Sequence, residues 1–242
     1  MSDFAYLSIV IPVFDEEENV CPLAKEIVSA LSGICDYEII FVNDSSIDNT
    51  DQALSNLKKE IPQLRVIHHL QRSGQSAGLR TGILAANGRI IVTLDGDRQN
   101  DPADIPILLK KYEECRDSNH LMVTGHRVTR KDSRAKRYAS KIANAVRSRL
   151  LRDDNPDTGC ALKLFERDLF LKLPYFDHIH RFLPALAKRE GCRIVVVPVN
   201  HRHRARGVSK YANFERLIAG VIDLLGVMWL IRRYPKNLDS KE

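Results

Sequence analysis

The first hundred residues alternate short apolar runs with stretches in which apolar residues recur at helical spacing. Strands separated by helices of about ten to fifteen residues indicate βαβ units, whose strands lie parallel in one sheet. We therefore predict an α/β fold with a mostly parallel sheet flanked by helices. Ligands of such sheets bind at the carboxyl ends of the strands. The predicted strands are 7–13, 38–43, 64–68 and 89–94, and the predicted helices are 19–31, 50–60 and 77–86.

The rest of the chain is less regular, but it contains no repeat, linker or low-complexity segment. We expect the 242 residues to form one domain, since this length suits a single hydrophobic core. The further predicted helices are 102–115, 133–151 and 211–233, and the further predicted strands are 121–125, 161–165 and 193–199.

Charge is distributed unevenly, with a net −8 on residues 1–104 and a net +14 on residues 105–242. The acidic part suits a metal site, and the basic part suits nucleotide phosphate, lipid phosphate or nucleic acid. Aromatic residues make up only 7%, which argues against a stacking platform for nucleic acid. The five separated cysteines form no C-x-x-C pair and no secretory segment opens the chain, so we expect a reducing, cytoplasmic location.

Asp95-Gly96-Asp97 directly follows the strand predicted at 89–94. Carboxylates at positions i and i+2 of an extended chain point to the same side, and Gln99 adds a neutral oxygen there. An isolated D-G-D is more often a polar turn, but acidic loops also follow two other predicted strands. Oxygen ligands of this kind suit Mg²⁺ or Mn²⁺ that bridges phosphates. We therefore predict a metal site at this loop.

Three other loops have both structural and functional interpretations. Asp44 ends the second strand and could accept hydrogen bonds from a base or a ribose. Asp48 is more simply a helix N-cap, and the acidic run 15–18 could only favour the positive end of the next helix. The glycine-rich segment 73–82 matches neither G-x-G-x-x-G nor a P-loop, so close packing of a helix on the sheet explains it adequately.

Two segments concentrate positive charge. Residues 127–152 contain ten Lys and Arg and one acid, and residues 201–210 contain four Lys and Arg, two His and no acid. A basic helix is usually a solvated face, with nucleic-acid binding as the alternative. The second segment is a loop, and so much like charge in a loop favours a bound anion such as phosphate, which arginine binds in a bidentate manner.

Together these segments resemble glycosyltransferase family 2, in particular its dolichol-phosphate mannose synthase-like branch, which includes bacterial polyprenyl-phosphate glycosyltransferases. Residues 8–20 are similar to the motif I-P-x-Y-N-E-E-x-N, with Phe14 and Asp15 as departures. Residues 42–50 are similar to D-D-x-S-x-D-x-T, with Asn43 in the first position. Three later segments resemble the branch's D-x-D-x-Q-x-x-P, central and R-x-x-G-x-S-K elements: 94–102, 157–163 and 204–210.

The resemblance implies a GT-A nucleotide-diphospho-sugar transferase fold and an inverting, metal-dependent hexosyltransferase that uses Mg²⁺ or Mn²⁺. The donor would be a UDP- or GDP-linked sugar. The implied nucleotide-binding residues are Pro12, Phe14, Glu16 and Asp44, and the metal ligands are Asp95, Asp97 and Gln99. The implied phosphate-binding residues are Arg127, Arg137, Arg204 and Lys210, and Asp97, Arg137 and Arg204 would serve catalysis most directly.

The acceptor is inferred from the stretch 177–184, which reads D-H-I-H-R-F-L-P. Relatives that use hydroxyl acceptors often have an E-D pair here, and this chain has His180 and Arg181 in those places. A phosphate acceptor is already an anion and needs no general base, so we infer a polyprenyl phosphate, with Asp177 as a fallback base. The alternatives are a glycan or lipopolysaccharide hydroxyl acceptor, a basic nucleic-acid-binding protein and a non-catalytic membrane subunit; D-G-D argues against the last two, and we expect no nucleic acid partner.

The apolar segment 217–231 is short for a membrane span and contains Asp223. Trp229 beside Arg232 and Arg233 suits a helix in the lipid interface, while packing on the core or in a homo-oligomer fits equally well. Only eleven residues follow Ile231, so we expect peripheral attachment to the cytoplasmic membrane face, directly or through a small membrane subunit. The expected division is a GT-A catalytic domain at 1–212 and an amphipathic helix with its tail at 213–242.

Overall fold

One mixed sheet of seven strands organises the residues that the computed structural model describes, which are 6–117, 120–128, 147–153, 155–202 and 213–234. The strands are β1 (Leu7–Val13), β2 (Tyr37–Asn43), β3 (Leu64–His68), β4 (Ile90–Thr93), β5 (Leu121–Arg127), β6 (Lys163–Glu166) and β7 (Arg193–Val199). Their order is β3-β2-β1-β4-β6-β5-β7, and only β6 among them runs antiparallel to its neighbours.

Helices cover both faces of this sheet. They are α1 (Glu17–Leu31), α2 (Thr50–Glu60), α3 (Gln75–Ala85), α4 (Ile105–Cys115), α5 (Arg167–Lys172), α6 (Leu183–Arg189) and α7 (Asn213–Arg232). Single turns of 3₁₀ helix occupy Pro102–Asp104 and Ile179–Arg181. Within these described ranges, no helix combines the length and the apolar character needed to cross a bilayer.

The sequence prediction of the α/β class is confirmed, and the seven predicted strands agree with the structure to within two residues at each end. The antiparallel direction of β6 was not predicted, because strand direction depends on long-range pairing rather than on local pattern. The short helices α5 and α6 were also missed, since two turns or fewer leave little periodicity to detect. The predicted helix 133–151 lies outside the described residues as far as 146, and residues 147–151 are helical.

Strand β1 contributes to two hydrophobic cores, because successive side chains of a strand point to opposite faces. Ile9 and Ile11 belong to the core beneath α1, α2 and α4, and Val10 belongs to the core beneath α3, α5 and α6. Val227 of α7 is fully buried in this second core. Each such side chain contributes about 1.5–3 kcal/mol on burial, so the sheet is anchored from both sides.

Helix α3 lies unusually close to β1. A Cβ atom on Gly82 would lie 2.4 Å from Val10 Cγ1, and one on Gly78 would lie 2.8 Å from Pro12 Cβ. Both distances are below van der Waals contact, so the glycines are needed for this approach. The sequence interpretation of segment 73–82 as a close packing element is confirmed.

The loops after β1 and β2 are bonded to each other at the carboxyl edge of the sheet. The backbone N–H of Asp15 donates to Ser46 Oγ at 2.9 Å, and that of Glu16 donates to Thr50 Oγ1 at 2.8 Å. In return, Asp15 Oδ1 accepts the Ile47 N–H at 2.8 Å. Because β1, β2 and β4 are parallel neighbours, the D-G-D loop after β4 lies at this same edge.

Candidate active site

The two carboxylates of the D-G-D loop lie where β4 ends, and Asp95 is half-buried. Burial raises the pKa of the Asp95 carboxyl and the charge of Asp97 raises it further, while Lys163 and Arg127 lower it. Gln75 at the start of α3 orients Asp95 by donating from Nε2 to Oδ1 at 2.6 Å. Burial and the charge of Asp97 therefore outweigh the two cations in setting the pKa of Asp95.

The donor set of this loop fits an open site for a divalent cation. In the described part of the chain, no three His, Cys, Asp or Glu side chains converge into a closed metal cage. The loop offers two carboxylates and the amide of Gln99, and Asp97 Oδ1 accepts the Gln99 N–H at 3.1 Å. Mg²⁺ and Mn²⁺ commonly bind through one or two carboxylates and complete their coordination with substrate phosphates and water. Asp95, Asp97 and Gln99 would hold such an ion.

Glu26 of α1 connects residues 95–99, which we call the metal loop, to the segment after β7. We call its contacts with Arg98 and Arg202 the Glu26 clamp. Its Oε1 accepts from Arg98 Nη2 and its Oε2 accepts from Arg202 Nη1, both at 2.5 Å. Arg202 also donates to Asp101 Oδ1 at 2.5 Å, and its N–H donates to the Gln99 carbonyl at 2.9 Å. Arg98 has a left-handed backbone with φ of 60°, which this clamp stabilises against strain. Glu26 and Arg202 could not be identified from the sequence, because their contacts with the loop join distant parts of the chain.

Phe14 and Glu16, two of the predicted nucleotide-binding residues, lie in the loop directly after β1. The guanidinium of Arg72 lies 4.0 Å from the centroid of the half-buried Phe14 ring, in a cation–π contact. Glu16 Oε2 accepts from Asn19 Nδ2 at 2.6 Å, which orients the carboxylate at the start of α1. Half-buried Pro12, on β1, packs against Gly78 of α3. All three residues therefore lie at or directly after the carboxyl end of β1.

Asp44 has a structural role that the sequence did not reveal. Its Oδ1 accepts from the Ser73 N–H at 2.8 Å and contacts His69 Nδ1 at 2.7 Å, and its Oδ2 accepts from the Gly74 N–H at 2.8 Å. The buried carboxylate thereby fixes the loop that leads into α3. Its binding to a base or a ribose stays a prediction.

Arg127, predicted to bind phosphate, makes a bidentate pair with buried Asp157. Nε donates to Oδ2 at 2.7 Å and Nη2 donates to Oδ1 at 2.6 Å. The guanidinium nitrogens that would bind a phosphate are therefore already bonded to Asp157, and the binding of phosphate by Arg127 stays a prediction. Arg137, Arg204 and Lys210 lie outside the described residues.

A cleft of about 180 Å³ adjoins Asp95 and contains three basic side chains. His180 and Arg181, both predicted from sequence, line it, and His180 Nδ1 lies 2.8 Å from Ser76 Oγ. The third is Lys163, which was not predicted as a site residue although it ends the segment 157–163 that resembles the family's central element. Its buried ammonium donates to the carbonyl oxygens of Cys160 and Thr158, which hold it at the start of β6.

Residues 8–173 match the family model for glycosyl transferase family 2. The chain belongs to glycosyltransferase family 2. It is 36% identical to a dodecaprenyl-phosphate galacturonate synthase of Rhizobium johnstonii, over 93% of this chain and 67% of that protein. It is 32% identical to an undecaprenyl-phosphate 4-deoxy-4-formamido-L-arabinose transferase of Photorhabdus laumondii, over 90% of this chain and 66% of that protein. The chain thus spans about two thirds of the length of both relatives.

The GT-A fold expected for this glycosyltransferase is confirmed by solved structures. Glucosyl-3-phosphoglycerate synthase of Mycobacterium tuberculosis, in complex with Mg²⁺ and UDP, superposes with a TM-score of 0.70 over 96% of this chain and 81% of that one, at 17% identity. A complex of the same enzyme with Mn²⁺, UDP-glucose and glycerol 3-phosphate has a TM-score of 0.68, over 96% and 82% of the two chains, at 18% identity. These neighbours support a divalent metal ion for the fold.

Proposed function

We propose that this glycosyltransferase transfers a sugar, with inversion, from a nucleotide-diphosphate sugar to a polyprenyl phosphate at the cytoplasmic membrane face. The observation that carries the proposal is the composition of the cleft beside Asp95. Lys163, His180 and Arg181 line it, and Asp95 is the one carboxylate among its described lining residues. Such a cleft favours an anionic acceptor over a hydroxyl that needs a base.

The nucleotide of the donor would lie against Pro12, Phe14 and Glu16 at the carboxyl end of β1, with its diphosphate at the metal loop. A divalent cation held by Asp95, Asp97 and Gln99 would stabilise the negative charge of the leaving nucleoside diphosphate. Gln75 and the Glu26 clamp keep the ligand oxygens oriented before the donor binds. The UDP in the solved structural neighbours makes a uridine donor the first one to test.

The acceptor phosphate would be held by the basic side chains of the cleft. An anionic oxygen attacks the anomeric carbon without losing a proton, so no side chain has to act as a general base. Asp177, the fallback base, has a 68% exposed side chain that lies 3.5 Å from His178 Nε2. Both curated relatives are named for reactions on polyprenyl phosphates, which supports this acceptor class.

The test is a transfer assay with purified protein, UDP- and GDP-sugars, polyprenyl phosphate and Mg²⁺ or Mn²⁺. We expect metal-dependent formation of a lipid-linked sugar from one donor, and its loss in Asp97→Asn. Asp168→Asn, which makes the same change on the exposed surface of α5, is the matched control and should behave as the wild type. Undiminished transfer by Asp97→Asn, or transfer only to hydroxyl acceptors, would contradict the proposal.

A further inference from the structure

A second cleft, of about 520 Å³, lies at the end of α6 away from the active site. Helix α6 begins at Leu183, which lines the active-site cleft, and ends at Arg189, which lines the second one. A helix of this length separates the two positions by about 9 Å along its axis. The volume lies within the range of about 300–1,000 Å³ that small-molecule sites occupy.

Three arginines, Arg152, Arg189 and Arg232, line this cleft. Arg189 is fixed, since it donates to Glu190 Oε1 from Nε at 3.0 Å and from Nη2 at 2.6 Å, and it lies 4.9 Å from the centroid of the Tyr234 ring. The Tyr234 hydroxyl donates to Glu190 Oε2 at 2.9 Å, so both carboxylate oxygens of this neighbouring acid have partners. Arg152 and Arg232 are exposed and form no ion pair with any described residue. The described lining residues of the cleft therefore include three arginines and no acid, which leaves positive charge unbalanced there.

The walls of the same cleft are apolar, and they include Leu150, Met228 and Ile231. Leu150 is 45% exposed, so the wall opens to the surface. A free inorganic anion would use the arginines but leave these walls in contact with water. An amphiphile with a phosphate and a hydrocarbon chain would satisfy both parts at once.

The exposed face of α7 indicates where such an amphiphile would come from. Helix α7 packs Val227 into the core, yet Ile222, Leu225 and Trp229 on its other side are 60–63% exposed. A helix that is apolar on both faces needs a second apolar environment besides the core. Trp and Arg near one end of such a helix are typical anchors at a membrane surface.

We propose that the cleft between segment 147–152, α6 and α7 binds an anionic phospholipid of the bilayer, with its phosphate on Arg152 and Arg232 and its first acyl carbons against Leu150, Met228 and Ile231. This proposal rests on the membrane function proposed above, and it adds a lipid site separate from the acceptor site. Anionic lipid in this cleft holds the protein on the membrane with α7 facing the bilayer. The active-site cleft, at the other end of α6, then stays available to the acceptor phosphate.

The first test is flotation with phosphatidylcholine vesicles that contain or lack phosphatidylglycerol. Two basic residues that contact an anionic surface should together strengthen binding about 30-fold, so Arg152→Ala/Arg232→Ala should lose about that factor on phosphatidylglycerol vesicles. The matched control is Lys58→Ala/Lys59→Ala, which removes the same charge from the exposed end of α2 and should retain at least half of the wild-type affinity. Equal losses in both double variants would mean general surface electrostatics and would overturn the proposal.

The second test uses phosphatidylglycerol with a photoreactive group on the first acyl carbons. We expect cross-links on Leu150, Met228 or Ile231, and excess inorganic phosphate should not displace the probe. Cross-links confined to Ile222, Leu225 and Trp229 would show membrane contact without a lipid in the cleft and would overturn the proposal.

The two proposals fail in different ways. Arg152→Ala/Arg232→Ala should transfer sugar to a water-soluble, short-chain polyprenyl phosphate at the wild-type rate, because neither arginine lies in the active-site cleft. Asp97→Asn should bind vesicles like the wild type but transfer no sugar. Loss of soluble transfer in the arginine variant would contradict a site separate from the active site.

Discussion

The edge of the sheet around the metal loop differs from the surface around α7 in how its charged side chains are held. At this edge of the sheet, polar groups are fixed by partners within the chain, as Asp95 is by Gln75 and Asp44 is by Ser73 and Gly74. Around α7, Arg152, Leu225 and Trp229 are exposed. The first region is pre-organised for a small charged ligand, which lowers the entropy cost of binding. The second region exposes charged and apolar side chains together, as expected of a surface that contacts a membrane.

The largest expected effect breaks the pre-organised region at its centre. Asp95→Asn removes one carboxylate from the pair that would hold the metal ion, and we expect kcat/KM for sugar transfer to fall by about 10²–10³-fold. Nucleoside diphosphate release measures this, and a chelator should abolish the wild-type activity until Mn²⁺ or Mg²⁺ is restored. A wild-type rate in Asp95→Asn would mean that the loop does not hold a catalytic metal ion.

A second substitution tests the stability of the scaffold at the opposite edge of the sheet, where β1, β2 and β4 begin. Buried Glu38 accepts from Ser8 Oγ at 2.7 Å, from the Asn87 N–H at 2.6 Å and from Arg65 Nη1 at 2.5 Å. Glu38→Gln should lower the free energy of unfolding by about 2 kcal/mol, because part of this buried network loses its partner. Urea denaturation measures the change, and Glu60→Gln at the exposed end of α2 is the control.

The same residue predicts a pH dependence of stability. Burial would raise the pKa of Glu38, but the hydrogen bonds from Ser8, Asn87 and Arg65 outweigh it and lower the pKa below its ordinary value of 4.5. A depressed pKa stabilises the folded state above about pH 4.5, and that contribution is lost as pH falls through the folded value. The stability difference between wild type and Glu38→Gln should therefore shrink in acid. A constant difference from pH 7 to pH 3 would refute this explanation.

A smaller effect is expected from loosening the clamp on the metal loop. Glu26→Gln leaves Arg98 and Arg202 without their shared carboxylate, so the affinity for Mn²⁺ should fall about tenfold, as for other residues that orient metal ligands. Titration calorimetry without sugar donor separates this from a loss of turnover. Glu114→Gln breaks the exposed pair with Lys111 on α4 and is the matched control. If both variants bind Mn²⁺ equally well, Glu26 has only a structural role.

The smallest effect sharpens the description of the second region. Leu225→Ser on α7 should weaken vesicle binding about fivefold, in line with the loss of one exposed apolar side chain from a lipid contact. The free energy of unfolding should change by less than about 0.5 kcal/mol, since the side chain is 60% exposed. Ile107→Ser, on the 48% exposed side chain of α4, should affect neither property. Unchanged vesicle binding by Leu225→Ser would place the lipid contact elsewhere.

Much of the fold was predictable, because strands and helices of this chain follow local periodicity. The strand β3 and the helix α2 have the predicted boundaries. The D-G-D loop was predictable for a related reason, since its position directly after an apolar strand places it at the carboxyl edge of a parallel sheet. The direction of β6 and the short helix α6 could not be predicted in this way, because pairing across the sheet determines them.

The types of residue in the candidate site were predictable from the sequence, but the contacts between them were not. His180 and Arg181 were found from a local stretch, and the structure brings them to the cleft beside Asp95. Lys163 was missed because a single lysine at the start of a strand has no distinctive local signal. The pairing of Arg127 with Asp157 was missed because both types of residue also fit a phosphate site when considered alone.

By itself the sequence determined the α/β class, the loops that lie at the carboxyl edge of the sheet and the residues of the metal loop. Each of these follows from a pattern of residues that are close together in the chain. Only the tertiary structure decided which charges meet. Glu26 and Arg202 are 176 positions apart, and nothing local to either residue specifies the other as its partner. The arginine-lined cleft is decided in the same way, since it exists only where segment 147–152, α6 and α7 pack together. A local motif can be recognised from neighbouring residues, whereas the partners of an ion pair depend on distances that are set by the packing of the sheet and its helices.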